Sequence, residues 1–415
     1  MAGGARRIAN ALSRSSLVPM VVALCAFLVM AWGSGRPFGE ETNPSFLLKL
    51  GSQFAGDPAL LPSDAYIFKG TGYDGQFSFY LAQDPLLSGK VASRGQATSP
   101  HIDELGYRYQ RIMLPALAYV ASGGGDPDIL PWTIPLINLL AVLGSGFLLA
   151  RFLARRGRSP WLSLAYVLSL GTLAGVLNDL TNPLAVALLV VGLIWWLEGR
   201  TVAPVVALTA VLLTRETFLA PVAVICLLEV VRRRRKGLLW LLPIGTWVLW
   251  QLYLWLALEA SVKGNHVAHP SPIPILGSVR KIWDVLHDDI AGAASWEVAM
   301  VLALLAMFGL LVVRAAPVAR ASLAARRLPT AERALPIVGV AALLLVPFLT
   351  AELWRNPLSY SRYAVAGTAV LLLLHALHRD RPALLIIGVI LLLTLVNPVI
   401  SILPTSNGPM VVPAT

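Results

Sequence analysis

One carboxylate stands where chemistry is most readily expected. Asp74 lies between Gly72 and Gly75, in a turn rich in glycine and aromatic residues, and a helical pattern follows it. Because glycine leaves backbone room for a ligand to approach closely, this turn predicts an active carboxylate beside the membrane. The alternative is that Asp74 caps the helix that follows. The residues of the turn favour neither interpretation over the other.

The composition is that of a polytopic membrane protein. Hydrophobic residues make up 57% of the 415 residues and charged residues only 13%, whereas a soluble domain carries about a quarter of charged residues. The net charge of +11 follows membrane orientation, so we expect no nucleic-acid partner. Both cysteines lie in apolar runs, which predicts neither a disulfide framework nor a thiolate metal site.

Apolar runs predict an all-α fold with about eleven transmembrane helices. The first run covers residues 17–32, and the others begin at about residues 131, 160, 183, 201, 217, 237, 296, 334, 360 and 383. With the N-terminus in the cytoplasm, most of the 33 Lys and Arg residues fall on short inner connections, as the positive-inside rule requires. The C-terminus then lies outside. The first run is an anchor or a signal peptide, and we favour the anchor.

This threading divides the chain into five parts. They are a cytoplasmic tail with the first anchor (1–32), an outer segment (33–130), the core spans (131–260), a second outer loop (261–295) and the C-terminal spans (296–415).

The outer segment contains two predicted interfacial helices. The helix after Asp74 has Phe77, Tyr80 and Leu81 at a spacing that lets it lie with an apolar side on the membrane. The second covers 112–121, and its ten residues reach only about 15 Å, which is too short to cross a hydrocarbon core of about 30 Å.

Two outer turns are predicted to lie below the membrane surface. The runs 201–214 and 217–231 each extend about 20 Å, so Arg215 and Glu216 between them should be recessed. The same holds for the turn 178–183. Polar turns at such a depth occur where they line a water-filled cavity or are buried in protein. We therefore expect a recessed pocket that opens to the outside.

Arginines near this pocket are candidate ligands for an anionic group. The planar guanidinium of Arg215 suits a phosphate or carboxylate, and the alternative is a structural ion pair with a carboxylate such as Asp179. Arg111 and Arg362 also stand next to apolar sequence and could bind an anionic head group. Arg108 is assigned to anchoring at the membrane interface.

Other motifs narrow the chemistry. His266 and His269 are spaced as metal ligands can be, but the sequence offers no third ligand near them, so we predict no metal site there. The chain has no glycine-rich phosphate loop after a strand and no nucleophile elbow, and nothing in it supports cytosolic nucleotide chemistry.

The order of these features resembles a known group of proteins. After the anchor come Tyr73-Asp-Gly-Gln76, Tyr109-Gln-Arg-Ile-Met-Leu-Pro115, Asn178-Asp-Leu-Thr-Asn-Pro183 and Leu213-Thr-Arg-Glu-Thr217. In this order the chain is similar to bacterial membrane proteins linked to cell-surface glycopolymer formation, and more distantly to the mannosyltransferases of the glycosylphosphatidylinositol pathway. Both groups look like members of the GT-C glycosyltransferase fold.

The resemblance implies a transferase of the plasma (inner) membrane that works on the outer face. Its donor would be a polyprenyl-phosphate-linked sugar, its acceptor a glycan or glycolipid, and its catalytic base an acid of the first outer loop, which Asp74 matches. Many relatives carry paired acids in this loop. Here the second acid is Asp84, which precedes Pro85 and is as suited to ending a helix as to acting, so a divalent cation stays open as a cofactor.

The remaining polar residues of these motifs are assigned to substrate binding. They are Tyr73, Gln76, Asn178, Asp179, Asn182 and Glu216, beside the arginines Arg111, Arg215 and Arg362. Two other functions are compatible with the same features and involve no catalysed bond formation. One is a flippase or transporter of a glycosylated lipid, and the other is a non-catalytic component of a glycopolymer assembly.

Overall fold

Helices make up most of the chain. The computed structural model describes residues 15–34, 43–258, 273–288, 294–349, 357–396 and 409–411. Seventeen α-helices lie within these ranges. The first five are α1 (Leu17–Ser34), α2 (Ser45–Leu48), α3 (Gly75–Gln83), α4 (Leu105–Tyr109) and α5 (Met113–Ala121).

The helical bundle follows. Its first half consists of α6 (Leu130–Arg155), α7 (Leu164–Val167), α8 (Leu170–Leu177), α9 (Asn182–Leu197), α10 (Val202–Thr214), α11 (Leu219–Arg233) and α12 (Leu242–Ala257). Its second half consists of α13 (Leu276–Asp288), α14 (Ala294–Ala325), α15 (Ala331–Ala342), α16 (Pro357–His378) and α17 (Arg381–Val396). Short 3₁₀ helices cover Pro58–Leu60, Pro160–Ser163, Glu216–Phe218, Arg234–Leu241 and Val346–Phe348.

Several of these helices can cross a membrane. Four stretches are long and apolar enough, Leu130–Arg155, Gly237–Ala257, Val298–Ala325 and Ala331–Phe348. The pair Pro160–Val167 and Leu170–Leu177, bent by 55°, makes a fifth if it is counted as one span. The eleven predicted spans are not confirmed, because helices such as α9, with 16 residues, and α10, with 13, are shorter than a full crossing.

Exposed apolar side chains agree with a lipid environment. On α6, Trp132, Leu136 and Leu140 are all more than half exposed, and they follow one another by one helical turn. A contiguous apolar stripe of this kind is rare on the surface of a soluble monomer. The helices are therefore those of a membrane-embedded protein.

Both predicted helix breaks are present. Helix α8 ends at Leu177 and α9 begins at Asn182, while α10 ends at Thr214 and α11 begins at Leu219. Every residue of the turn 178–182 is buried. Of the two predicted environments for a recessed polar turn, a water-filled cavity or burial in protein, this turn has the second.

The outer segment forms a second hydrophobic core on top of the bundle. This core includes Leu130 and Ile134 of α6, Leu184 of α9 and Leu254 of α12, so the segment packs on one end of these three helices. The indole of Trp250 on α12 also donates a hydrogen bond of 2.9 Å to a backbone carbonyl of α4. The outer segment is thus held by side chains of the bundle.

A small sheet, which the all-α prediction did not include, lies in the same segment. Strand β1 (Leu50–Gly51) pairs in parallel with β2 (Tyr66–Phe68), and β2 pairs antiparallel with β3 (Pro409–Val411). The strands have only two or three residues, which is too short for a visible alternation of apolar and polar positions. The pairing with β3 places the C-terminal strand on the same side of the bundle as the outer segment.

The two predicted interfacial helices differ in their surroundings. All nine residues of α3 are buried, so this helix is enclosed by protein, and the prediction that it lies on the membrane is wrong. Helix α5 buries Leu114, Pro115 and Ala118 and leaves Val120 exposed on its other side. Only α5 therefore has the one-sided packing expected of an interfacial helix.

The turn that carries Asp74 is fixed by the backbone of β1. Gly72 has a φ of +65°, and a Cβ there would overlap the carbonyl oxygen of Lys49, to which the backbone N–H of Tyr73 donates a hydrogen bond of 2.9 Å. A Cβ at Gly75 would overlap the carbonyl oxygen of Asn178. The space that glycine leaves is filled by the chain's own backbone, so the prediction that it admits a ligand is wrong.

The close approach at Gly75 predicts a local loss of stability in Gly75→Ala. The added methyl group must push the turn with Asn178 away from α3, and overpacking of this kind costs about 1–3 kcal/mol. Gly144→Ala on α6 is the control, because nothing lies within 4 Å of a Cβ at that position. Thermal unfolding of both purified variants checks this, and an equal melting temperature for Gly75→Ala and wild type would contradict it.

Candidate functional site

One small cavity, at the end of the bundle on which residues 43–130 pack, brings several predicted site residues together. Its lining residues are Asp74, Phe77, Ser78, Leu81, Arg108, Arg111, Pro115, Leu180, Thr181, Arg215 and Arg362. These come from α3 and its N-terminal residue, from the α4–α5 region, from the two predicted turns and from α16. The prediction that Asp74 and arginines distant in sequence meet at one pocket is confirmed.

Helical spacing explains which residues face the cavity. Asp74, Phe77, Ser78 and Leu81 are separated by three or four positions, so they lie on one face of α3. The cavity has a volume of about 20 Å³, which is enough for a water molecule and far too small for a sugar. The site is therefore closed in this structure.

Asp74 forms ion pairs and does not cap α3. It occupies the N-cap position, but its side chain makes no capping hydrogen bond. Its Oδ1 accepts a hydrogen bond of 2.9 Å from Nη1 of Arg108, while its Oδ2 lies 3.9 Å from Nη1 of Arg362. The side chain is still 38% exposed. Of the two interpretations of Asp74, the structure excludes side-chain capping.

The surroundings keep the Asp74 carboxyl ionised. Burial raises the pKa of this group, but the positive charges of Arg108, Arg362 and Arg111, together with the hydrogen bond from Arg108, outweigh burial and bring the pKa below its usual value. At neutral pH the group is therefore a carboxylate that can accept a proton.

Arg108 belongs to the site, and its assignment to interfacial anchoring is wrong. Besides Asp74, it binds Asp103 through two hydrogen bonds of 2.8 and 2.7 Å, and its guanidinium lies 4.0 Å from the ring centroid of Phe77. The sequence does contain one indication that Arg108 belongs to the site. Arg108 and Arg111 are three residues apart, which puts both arginines on one side of a helical turn.

Arg111 lines the cavity and is held by Glu216. Its Nε and Nη2 donate hydrogen bonds of 3.1 and 2.7 Å to the two carboxylate oxygens of Glu216, and Nη2 also donates to the hydroxyl of Tyr107. Glu216 therefore pairs across the cavity wall and not with its neighbour Arg215. Glu216 orients an arginine and does not itself line the cavity, so its assignment to substrate binding stays a prediction.

Two further arginines complete the wall. Arg215 lies in extended backbone between α10 and the 3₁₀ helix that follows. Within the residues the structure describes, its guanidinium makes no hydrogen bond or ion pair, so the alternative of an ion pair with Asp179 is excluded. Arg362 donates a hydrogen bond of 3.0 Å to the hydroxyl of Tyr73. Tyr73 thus positions Arg362 without lining the cavity.

Gln76 has a structural role and does not line the cavity, so its assignment to substrate binding stays a prediction. Its side chain is fully buried. Its Oε1 accepts a hydrogen bond of 2.9 Å from the backbone of Gly51, and its Nε2 donates one of 2.7 Å to the carbonyl of Thr71. Gln76 therefore ties α3 to the strand and the turn before it.

Three residues of the first recessed turn also lie outside the cavity wall. Asn178 donates a hydrogen bond of 2.8 Å to the carbonyl of Ala174, so it closes the end of α8. Asp179 is fully buried and interacts electrostatically with Lys49. Burial lowers the pKa of Lys49 to about 7, although the Asp179 carboxylate acts to raise it. Asn182 faces a separate small pocket between α8, α9 and α16. None of the three lines the cavity, so their assignment to sugar binding stays a prediction.

From this turn the cavity receives Leu180 and Thr181 instead. Asp179 has a left-handed φ of 51°, which redirects the chain at that point. The residues predicted to face the cavity were the most polar ones of the turn. The backbone conformation, and not polarity, decides which side chains face the cavity.

Asp84 ends α3 and organises the loop after it. Its two carboxylate oxygens accept hydrogen bonds from the backbone N–H groups of Ser88, Gly89, Val91 and Ala92. These bonds outweigh burial and lower the pKa of the carboxyl. Of the two predicted roles of Asp84, the structural one is thus confirmed.

Metal ligands do not converge in the part of the chain that the structure describes. No group of three or more His, Cys, Asp or Glu side chains is placed to hold an ion there. His266 and His269 lie outside the described residues.

Comparison with known proteins adds no identity to this geometry. The chain matches no protein-family model, no curated protein and no solved structure.

The ion pair of Arg111 and Glu216 is predicted to be strongly coupled. The two side chains are 8% and 20% exposed, so removal of one leaves a poorly solvated charge, at a cost of about 3–5 kcal/mol. In a double-mutant cycle, Arg111→Met and Glu216→Leu together should therefore cost clearly less than the sum of the single changes.

The exposed pair of Arg156 and Glu332, at 38% and 45%, is the control, with an expected coupling below about 1 kcal/mol. Unfolding by titration of denaturing detergent measures both cycles. Equal coupling in the two pairs would contradict the burial argument.

Proposed function

We propose that this chain is an integral membrane glycosyltransferase. It transfers a sugar from a polyprenyl-phosphate-linked donor to a glycan or glycolipid acceptor on the outer face of the plasma membrane. The observation that carries the proposal is the cavity itself, where one carboxylate, Asp74, faces four arginines. A base beside a cluster of fixed cations is what transfer from a phosphate-linked donor requires.

Asp74 supplies the base. Oδ1 is occupied by Arg108, but Oδ2 accepts no hydrogen bond from any described residue and has Arg362 only at 3.9 Å. The acceptor hydroxyl oxygen attacks the anomeric carbon, and its proton goes to Oδ2. The bond from the anomeric carbon to the phosphate oxygen breaks, and its electron pair leaves with the lipid phosphate.

Arg215 is the principal ligand for the departing phosphate. It is the guanidinium of this cavity whose donors are not engaged by described residues, whereas Arg111 is bound to Glu216 and Arg362 to Tyr73. Arg111 and Arg362 add positive charge from fixed positions. A phosphate in a site with little water gains more from such charges than it would in bulk solvent.

Substrate entry must open the cavity. Arg108 is the residue that can move, because its two hydrogen bonds to Asp103 remain when its single bond to Asp74 breaks. Arg108 thus covers the base in the closed state and gives way to the acceptor hydroxyl.

The rest of the proposal concerns topology and family. We propose that the shorter apolar helices also take part in crossing the membrane, to give eleven spans with the N-terminus inside and the C-terminus outside. The order of the motifs around Asp74, Arg111, Asn178 and Arg215 supports a GT-C-like protein of the bacterial cell-surface glycopolymer group.

Replacement of the base is the direct test. In Asp74→Asn, transfer of sugar from a polyprenyl-phosphate monosaccharide to glycolipid in vesicles should fall by a factor of about 10² or more, because the proton has no acceptor. Products are measured by mass spectrometry. The control is Asp64→Asn, which removes an exposed carboxylate of the same segment that does not line the cavity.

Undiminished transfer by Asp74→Asn, with an unchanged melting temperature, would refute the assignment. Movement of lipid-linked sugar across the vesicle membrane without product formation would favour a flippase instead.

The pH dependence provides a second test. Arg108 lowers the pKa of the Asp74 carboxyl, so wild-type transfer should lose activity only in acid below the usual range of an aspartate. In Arg108→Gln the pKa of Asp74 rises, and the acidic limb of the rate profile should shift to higher pH. An unshifted limb in Arg108→Gln would show that Asp74 is not the titrating base.

A further inference from the structure

A larger cavity lies where α14, α15, α16 and α17 end or begin, and it shares no residue with the Asp74 site. Its volume is about 940 Å³. It occupies the end of the bundle that carries the basic connections 314–333 and 379–381. Nothing in the proposed sugar transfer uses this cavity.

Positive charge dominates its lining. Five arginines and two carboxylates face the cavity, which leaves a surplus of three positive charges. The arginines are Arg314, Arg327, Arg333, Arg379 and Arg381, and the carboxylates are Glu332 and Asp380.

Both carboxylates are already engaged. Asp380 binds Arg314 through two hydrogen bonds of 2.8 and 3.1 Å, and Glu332 binds Arg156, which lies outside the lining, at 3.1 Å. The side chains of the other four arginines make no hydrogen bond or ion pair with any residue that the structure describes. The positive-inside rule explains why arginines occur at this end of the bundle, but it does not require them to surround one cavity.

The same cavity has an apolar wall. Pro317, Val318 and Ala321 contribute from α14, Leu328 from the connection, and Leu374 from α16. A small soluble anion would leave these side chains unused. A molecule with an anionic head and an apolar chain would contact both parts of the lining.

The position along α14 agrees with the level of lipid headgroups. Arg314 is the first charged residue after the uncharged run from Val298 to Val313 on a helix that can cross a membrane. From Arg314 the helix continues to Ala325, which is about 17 Å at 1.5 Å per residue. The cavity thus begins where the hydrocarbon ends.

We propose that this cavity binds the phosphate headgroup of an anionic membrane phospholipid. Arg327, Arg333 and Arg381 contact the phosphate, and the acyl chain lies along α14. Guanidinium groups bind phosphate through paired hydrogen bonds, and basic pockets between transmembrane helices suit anionic headgroups. This inference is independent of the sugar transfer proposed above.

Lipid binding by the full-length protein tests the proposal. The protein in detergent is titrated with phosphatidylglycerol or with phosphatidylcholine, and bound lipid is counted by native mass spectrometry. Phosphatidylglycerol should bind at least about tenfold more tightly than phosphatidylcholine. The triple variant Arg327→Gln, Arg333→Gln and Arg381→Gln should lose at least about tenfold of that affinity.

The matched control removes the same charge at exposed arginines outside the cavity lining, with Arg151→Gln, Arg320→Gln and Arg326→Gln. It should change the affinity for phosphatidylglycerol by less than about twofold.

Three outcomes would overturn the proposal. Equal affinity for the two lipids would remove the headgroup preference, and an equal loss in the control would show a general surface attraction. Competition by glycerol phosphate at the concentration of the lipid would show a site for soluble phosphate esters. Melting temperatures of both triple variants identify any loss that comes from misfolding, and in that case each arginine is replaced singly.

Discussion

The end of this protein that carries Asp74 is organised by a balance of charge. Four arginines line the cavity, and three carboxylates, Asp74, Asp103 and Glu216, form ion pairs with three of them. Guanidinium groups that share a poorly hydrated space repel one another, so each carboxylate between them also holds the geometry together. The surplus charge lies at Arg215. An anion that entered would complete this arrangement, which makes the cavity selective for negative groups before any shape is considered.

The sequence was sufficient for the parts of this design that depend on local composition. Apolar runs located the helices of the bundle, and short arms located the breaks around Arg215 and after Leu177, because a helix of 13 residues has a length set by geometry. The position of Asp74 beside several arginines also followed, since Arg and Asp are rare and costly next to apolar runs and tend to pair.

The sequence was insufficient where the backbone decides. In the sequence, Gln76 is a polar residue next to a candidate base. In the structure, its side-chain amide is hydrogen-bonded to the backbone of Gly51 and Thr71. In the sequence, Arg108 has the features of an interfacial anchor. In the structure, the fold of the chain between α3 and α4 places it in hydrogen-bond contact with Asp74. The contacts of Gln76 with Gly51 and of Arg108 with Asp74 span 25 and 34 residues in the chain, and no local pattern marks them. The direction of a side chain in a turn is likewise set by φ and ψ and not by polarity.

The ion pairs also report on topology. Two ion pairs, Arg155 with Glu198 and Arg314 with Asp380, join connections that the predicted alternation of spans assigns to the inner side. The ion pair of Arg111 with Glu216 joins elements that it assigns to the outer side. No ion pair within the described ranges joins the two sets. Segregation of this kind follows if the apolar helices separate two polar ends, because a charge cannot reach its partner through hydrocarbon at reasonable cost.

The closed cavity has a consequence for the order of events in the proposed transfer. Asp74 is a weaker base than an ordinary aspartate, since Arg108, Arg362 and Arg111 lower the pKa of its carboxyl. A lipid phosphate bound at Arg215 would bring negative charge close to Arg362 and Asp74, offset part of that effect and raise the pKa of Asp74. The base would then become stronger only when the donor is bound. An acceptor that arrived first would meet an Asp74 carboxylate that is less basic than in the donor complex, so in the proposed transfer the charge balance favours binding of the donor before the acceptor.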